Sequence, residues 1–498
     1  MNASAAKKNV IASLAYQLVT IIYGLVVPRI ILTSFGSEVN GLVSSLSQFL
    51  NYISLLEGGL TGVIMAALYR PLANKDYVKV SGVIKAANSF FKRIAVIFVV
   101  YTLILAAAYP LVVKTPFTWG YVFSLTIIIS LSLFIQYFFA LSYRILINAD
   151  QKGYVVYLTL MLFTAVNFVF TILVVNVWKE IHVLKLMSAV AFLIQPIVFS
   201  YYVNKHYPLD KTVQPDKEAL SQRWDGFGQN IAFFIHSNTD VVVLTLFSTL
   251  ANVSVYSVYM LVISALKTLV SAISSSLAPS LGNSLATMSN EEANDMFDNY
   301  EFGMSFITTF AFTCGALLIT PFVQIYTRGV TDANYYQPVF GYLMMAAEAV
   351  YCFRDPYVSV AYVSGKFRET AVYAYIEAGL NILISAVLVS KFGLIGVAIG
   401  TLIAMIFRMV SHMVYLNNNL IKRPLQSSLK CVGVFLSDVL ICSVLVKALV
   451  RFTANNYFDW VWQAVMTASV VLITMLAISC VFYKKCLSNL IGTFLKKK

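Results

Sequence analysis

Ten ionisable side chains fall inside long apolar stretches of this sequence: Arg29, Glu57, Asp240, Lys267, Glu348, Arg354, Asp355, Glu377, Arg408 and Asp438. A charge at the middle of a bilayer costs about 2.5–3.5 kcal/mol on insertion scales, so each needs a partner or a polar cavity. Lys267 is the sharpest of them. It sits halfway along an apolar run, too far from either end for its stem to reach the headgroups. When Pro71 and Pro279 are matched by the Leu and Asn that follow each, Glu57 falls within one residue of the counterpart of Lys267. One reading is an anion-binding ammonium facing a carboxylate across a cavity between two lobes; a structural Lys–Glu pair has the same signature. Arg29 follows Pro28, and its guanidinium suits bidentate contact with phosphate oxygens. An arginine reaching the outer headgroups reads the same way, and both stay open.

Glu57-Gly58-Gly59 predicts a local unwinding where a carboxylate and free carbonyls meet a cation or a sugar. Close helix packing is the other use of such glycines. Asp240 either couples to a cation or bonds its neighbours Asn238 and Thr239. Arg354-Asp355-Pro356 predicts a kinked hinge, because proline removes a backbone donor. Glu377, Arg408, His412 and Asp438 read as lying nearer span ends, with no site role, and His236 alone is a weak sign of proton coupling. No phosphate-binding Walker loop, nucleophile–base constellation or His/Cys metal cluster is recognisable, and Gly365-Lys366-Phe367 does not replace the first. The six cysteines read as buried thiols. The expectation is therefore transport rather than catalysis, with no cofactor or metal and no ATP hydrolysed by the chain.

The elements that must position these residues are membrane helices. Of 498 residues, 59% are hydrophobic and 11% charged, with mean hydropathy +0.79, against roughly 25% charged in soluble domains. The apolar runs are about 20 residues or longer and do not alternate, which points to helices rather than a barrel. Fourteen spans are expected, at 10–33, 40–68, 88–113, 120–143, 154–176, 184–203, 228–248, 254–278, 303–325, 338–363, 371–390, 393–416, 429–450 and 460–483. The formal net charge of +13 comes from Lys and Arg scattered between apolar blocks, which excludes a nucleic-acid-binding face and reports topology instead. It predicts a multi-pass protein of the cell membrane with both termini cytoplasmic. One inner loop, 279–302, dissents: it has no Lys or Arg and carries Glu291, Glu292, Asp295, Asp298 and Glu301.

A short surface helix is expected in that loop, started by Ser289 and Glu292, and a similar one after Asp76. Pro71-Leu72-Ala73-Asn74 and Pro279-Ser280-Leu281-Gly282-Asn283 close spans two and eight, which predicts a parallel repeat of six spans plus six, with two extra. The domains are then 1–203, a six-helix lobe; 204–227, a cytoplasmic linker; 228–416, a second six-helix lobe; and 417–498, two additional helices with a basic tail.

Within residues 361–408, the positions Gly365, Lys366, Phe367, Thr370, Glu377, Asn381, Ser385, Gly393, Gly396, Gly400 and Thr401 stand in a pattern shared with a known family. Pro28-Arg29, Phe35-Gly36, Gly41, Leu56-Glu57-Gly58-Gly59 and Asn238-Thr239-Asp240 agree with it. In these features the chain resembles polysaccharide flippases (Wzx-like proteins) of the multidrug/oligosaccharidyl-lipid/polysaccharide (MOP) exporter superfamily. The resemblance implies two six-helix lobes around a central cavity, alternating access, and export of a lipid-linked oligosaccharide. Together with the intramembrane charges it predicts a flippase for a polyprenyl-pyrophosphate-linked oligosaccharide, with Arg29 and Lys267 receiving the phosphates and Glu57 balancing Lys267. Its partners would be the bilayer, a coupling proton or sodium, and polysaccharide polymerase machinery. The alternatives are a cation-coupled multidrug exporter and, further off, a membrane-embedded glycosyltransferase or ligase.

Overall fold

The computed structural model describes residues 3–57, 59–210, 212–216, 218–219, 238–285, 290–451 and 454–495. Gly58, His236, Ser289, the tail Lys496 to Lys498 and much of the 204–227 linker lie outside the described residues. The chain is an all-helical, polytopic membrane protein that forms two compact units, Met1–Ser254 and Val255–Lys498.

The first unit begins with α1 (Ala3–Asn51), a single run of helix interrupted at Gly36, whose φ of +85° favours a residue without Cβ. That one residue replaces the loop expected between spans one and two. A 3₁₀ turn (Tyr52–Glu57) and the left-handed Gly59 (φ +78°) then separate α1 from α2 (Leu60–Ala73). Next come α3 (Tyr77–Val112), α4 (Trp119–Ala149, with a π turn at Gln136–Ala140), α5 (Gly153–Val177), α6 (Ile181–His206) and α7 (Asn238–Phe247). Phe91, Phe98, Phe199 and Leu50 fill one apolar core; Leu42, Leu46, Tyr109 and Leu125 fill a second. The second half of α1 meets the 238–254 corner through polar pairs: Asn40–Ser254 and Ser45–Thr245, both 2.8 Å, and Gln48–Asn238. Gly41 permits this approach, since a Cβ there would lie 1.8 Å from the Leu250 carbonyl oxygen.

The second unit holds most of α8 (Leu250–Leu285), then α9 (Asn290–Tyr326), α10 (Pro338–Val363), α11 (Phe367–Phe392), α12 (Leu394–Asn419), α13 (Leu425–Leu449), α14 (Tyr457–Phe482) and a short α15 (Lys484–Leu495). Eleven helices among the described residues are long and apolar enough to cross a membrane. The other three expected spans are the far half of the broken α1 with α2, the described ten residues of α7, and α10, whose three charged residues set it apart. The surface helices expected after Asp76 and near Glu292 are not separate elements. They are the first turns of α3 and α9, of 36 and 37 residues, which at 1.5 Å per residue outreach a ~30 Å hydrocarbon core. Asp76 caps α3 by accepting from the Lys79 amide. Helix α8 also continues through residues 279–283, where the sequence places its end.

Candidate functional site

In the first unit the unwinding predicted at Glu57 is present, and it builds a site. The 3₁₀ turn ends on Glu57, which is half-buried and accepts from Thr61 Oγ1 at 2.9 Å and from the Tyr137 hydroxyl at 3.3 Å. Tyr137 lies in the π turn of α4, where the extra residue per turn re-aims side chains toward a neighbour. The Tyr101 hydroxyl donates to the Phe49 carbonyl at 2.6 Å, satisfying an oxygen in the last turn before the break. A carboxylate held by two hydroxyls at an interrupted helix keeps acceptor capacity for a further cation or donor.

The second unit carries a chain of alternating charges. Lys267 of α8 pairs with Glu348 of α10 at 2.9 Å, and its ammonium lies 3.9 Å from the Tyr351 ring centroid. The Arg354 guanidinium lies 4.3 Å from the centroid of the same ring. Arg354 reaches Glu377 of α11 at 3.7 Å, and Glu377 is also bound by Arg408 of α12. Asp355 accepts from Ser271 at 3.4 Å. Three cations thus stand beside three carboxylates across α8, α10, α11 and α12, so the cluster is formally balanced rather than cationic. Lys267, with its side chain 20% exposed, is open to an incoming group, whereas Glu377 is fully buried and Arg354 nearly so.

Two expectations are corrected here. The carboxylate that meets Lys267 is Glu348, on a neighbouring helix of the same unit, whereas Glu57 is held by Thr61 and Tyr137. Glu377 and Arg408, set aside as near span ends, are the enclosed centre of the charge chain. Their stripes were readable: Glu377, Asn381 and Ser385 recur every fourth residue, as do Thr401, Met405, Arg408 and His412 every third or fourth. Asn381 Nδ2 donates to Thr401 at 3.0 Å, and Gly396 and Gly400 let the α11 backbone close on α12. Arg354 is buried and Asp355 half-buried mid-helix beside Pro356, in a continuous α10. Arg29 is half-buried between Pro28 and the Gly36 break and is engaged with a neighbour. Asp240 is buried and also partnered. Lys185, a half-buried cation near the start of α6, was not singled out from the sequence because it stands beside the expected span edge.

The dissenting acidic loop is neutralised at one end of the second unit. Arg423, between α12 and α13, binds Asp298 at 2.5 Å and Glu301 at 2.7 Å, and Tyr357 donates to Glu301. Burial works against the Arg423 charge, but its bond to Glu301 and the nearby carboxylates raise its pKa above the ordinary arginine value. Lys485 of α15 binds Asp295 at 2.8 Å, and that hydrogen bond raises its pKa as well. These contacts bring residues 295–301, 423 and 485 to one end of the unit. In the first unit, Asn9 bonds the Gln151 carbonyl and the Tyr154 amide, and Asp150 holds Lys152 and Tyr207, which joins the predicted inner segments in the same way.

A cleft of about 380 Å³ opens among α9, α10 and α13. Its walls include Phe312, Met345, Phe353, Phe435 and Val439, with Thr309, Thr313 and Lys447 as polar members.

No protein-family model matches the chain, and no curated protein does. Solved structures do. The lipid II flippase MurJ, in an inward closed conformation, superposes with a TM-score of 0.71 at 15% identity, covering 96% of this chain and 100% of that one. An inward-facing multidrug resistance MATE family transporter of the MOP superfamily gives 0.62 at 15% identity, over 80% of this chain and 95% of that one. The MATE multidrug transporter DinF-BH gives 0.54 at 14% identity, over 84% and 96%. The chain therefore has the fold of MOP transporters, and the proteins it resembles are transporters rather than enzymes.

Proposed function

We propose that this chain is a flippase that carries a polyprenyl-pyrophosphate-linked oligosaccharide from the inner to the outer leaflet of the cell membrane, by alternating access, for cell-surface polysaccharide synthesis. The observation that carries this reading is the extent of the fold match: a lipid flippase is matched over its whole length and 96% of this chain, a MATE transporter over 80% of it. In this chain α13 walls the apolar cleft. A prenyl tail requires an apolar surface of this kind, while the charged head requires a polar route through the bilayer. Lys267 receives a phosphate as a point charge and Arg29 as a planar fork. Glu348 occupies Lys267 until the phosphate displaces it; the two anions compete for one ammonium, so binding loosens α8 from α10. Glu377 keeps α10, α11 and α12 joined throughout. With an inside-negative potential, outward movement of negative charge is downhill by about 2.3 kcal/mol per charge per 100 mV. Both termini are cytoplasmic in this scheme, and polymerase machinery on the far side consumes the product.

A cation-coupled multidrug exporter is the second reading. The feature that favours it is Glu57, a carboxylate at an unwound turn with hydroxyls of Thr61 and Tyr137 around it, a setting in which a proton or sodium ion would be held. Reconstitution separates the two. In proteoliposomes holding a fluorescent polyprenyl-pyrophosphate glycan, the flippase reading expects the chain to expose inner-leaflet probe to an external quencher. No gain in quenching over protein-free vesicles, with cationic dye moved instead, would leave the exporter reading.

A further inference from the structure

Asp438 stands apart from the charge chain of α8, α10, α11 and α12. It lies in the middle of α13, its residue is fully buried, and neither carboxyl oxygen has a hydrogen-bond partner among the described residues. Phe435 and Cys442, one turn to either side, belong to an apolar core with Phe302, Val471 and Met475. The helices packed on α13 are α9, α12 and α14, and α10 meets it through Phe353, whose ring lies 6.3 Å from that of Phe435; the charged groups of α10, Glu348, Arg354 and Asp355, are engaged by Lys267, Glu377 and Ser271. From residue 302 onward α9 carries no charged side chain, and within the membrane α14 carries none. On α12 the charged group is Arg408, engaged by Glu377, with His412 bonded to the Arg408 carbonyl. The Cys442 thiol, one turn along α13, is a titratable neighbour. An ionised carboxylate enclosed without a partner costs far more than the neutral acid, which buries as an ordinary polar group.

The cleft runs along the same stretch of α13, on the flank next to the one that buries Asp438. Val439, the next residue along, lines it, as do Thr309 and Thr313 of α9 and Lys447 further along α13. The hydroxyls of Thr309 and Thr313 are themselves buried without a hydrogen-bond partner among the described residues. Hydroxyls both donate and accept, so a cleft wall that carries unpaired ones can pass protons.

We propose that Asp438 is a membrane-embedded proton-binding site, a carboxylic acid that takes up and releases one proton along the hydroxyl-bearing cleft between α9 and α13. Release leaves a carboxylate, which the apolar core rejects unless the helices part to admit water, so proton binding and the packing of α13 are linked. The site gives the transporter a proton-dependent step separate from the charge chain that carries Lys267.

The test uses purified full-length protein in lipid nanodiscs and a hydrophobic carbodiimide, which adds to a protonated carboxyl and leaves a stable N-acylurea. Peptide mapping across a pH series is expected to find the adduct on Asp438, falling at least tenfold as pH rises, and not on the ion-paired Glu377. Absence of adduct at Asp438, or labelling that ignores pH, overturns the proposal. This experiment needs no substrate and is independent of the flippase reading. A transport experiment rests on that reading: Asp438→Asn, nearly isosteric, is expected to keep flipping driven by membrane potential while losing all acceleration by an imposed pH gradient. An undiminished gradient response in that variant also overturns the proposal.

Discussion

Replacing Glu377 with Gln removes one negative charge from between two guanidinium groups, those of Arg354 and Arg408. Glu377 is fully buried, and the side chains of Arg354 and Arg408 are 4% and 9% exposed, so water cannot take over its role. At 3.7 Å and an effective dielectric constant of 20, the Arg354–Glu377 attraction alone is about 4.5 kcal/mol, before desolvation is set against it. Breaking a buried pair from one side costs about 3–5 kcal/mol because the remaining charge stays enclosed, and here two like charges remain. Glu377→Gln should therefore lower the folded-to-unfolded ratio by more than a hundredfold, about 1.4 kcal/mol being a factor of ten. Denaturant titration of purified protein in mixed micelles reads this directly. The double variant Glu377→Gln with Arg408→Met should recover at least half of the loss, since it removes one of the stranded charges. If Glu377→Gln stays within about 0.5 kcal/mol of the unsubstituted protein, the range of a surface change, the charge chain is not what joins α10, α11 and α12.

Lys267→Met should reduce flipping in proteoliposomes at least tenfold, whereas Lys267→Arg should retain part of it because the positive charge is kept. Glu348→Gln frees the same ammonium, so it should tighten equilibrium binding of the anionic lipid while slowing its release; weaker binding would contradict the competition. Gly41→Val should yield no monodisperse protein, because a Cβ there meets the Leu250 carbonyl, while Gly24→Ala, with nothing within 4 Å, should behave as the parent in size-exclusion profiles. Glu301→Gln, which strips the buried partner of Arg423 and Tyr357, should lower thermal stability in detergent clearly more than Asp295→Asn, whose pair with Lys485 is solvent-exposed and sensitive to salt.

The spans were legible because a bilayer demands long apolar runs whatever their neighbours are. Even so, the Gly36 corner is tighter than a loop, since one left-handed glycine suffices to turn a helix. The break at Glu57 was readable for a related reason: paired glycines beside a carboxylate are costly in a membrane helix unless the backbone opens there. Lys267 could be singled out by depth alone, but not its partner, because Glu348 lies on another helix and side-chain pairing across helices leaves no local pattern. Glu57 stands near the position matching Lys267 when the Pro71 and Pro279 segments are aligned, but relatedness of position is not contact. Glu377 and Arg408 were legible only as stripes, and judging each by its distance from a span edge concealed that they face each other. Asp438 was passed over on the same ground, although Lys430 and Lys447 near either end of its helix frame it in mid-span.

The measurement that bears most directly on the proposed activity is the sidedness of lipid-linked oligosaccharide in cells depleted of this protein. The account predicts that the precursor builds up on the inner leaflet and returns to the outer one when the protein is re-expressed, but not when Lys267→Met is expressed. A normal distribution between leaflets during depletion, with cationic dyes accumulating in the cells, would contradict it.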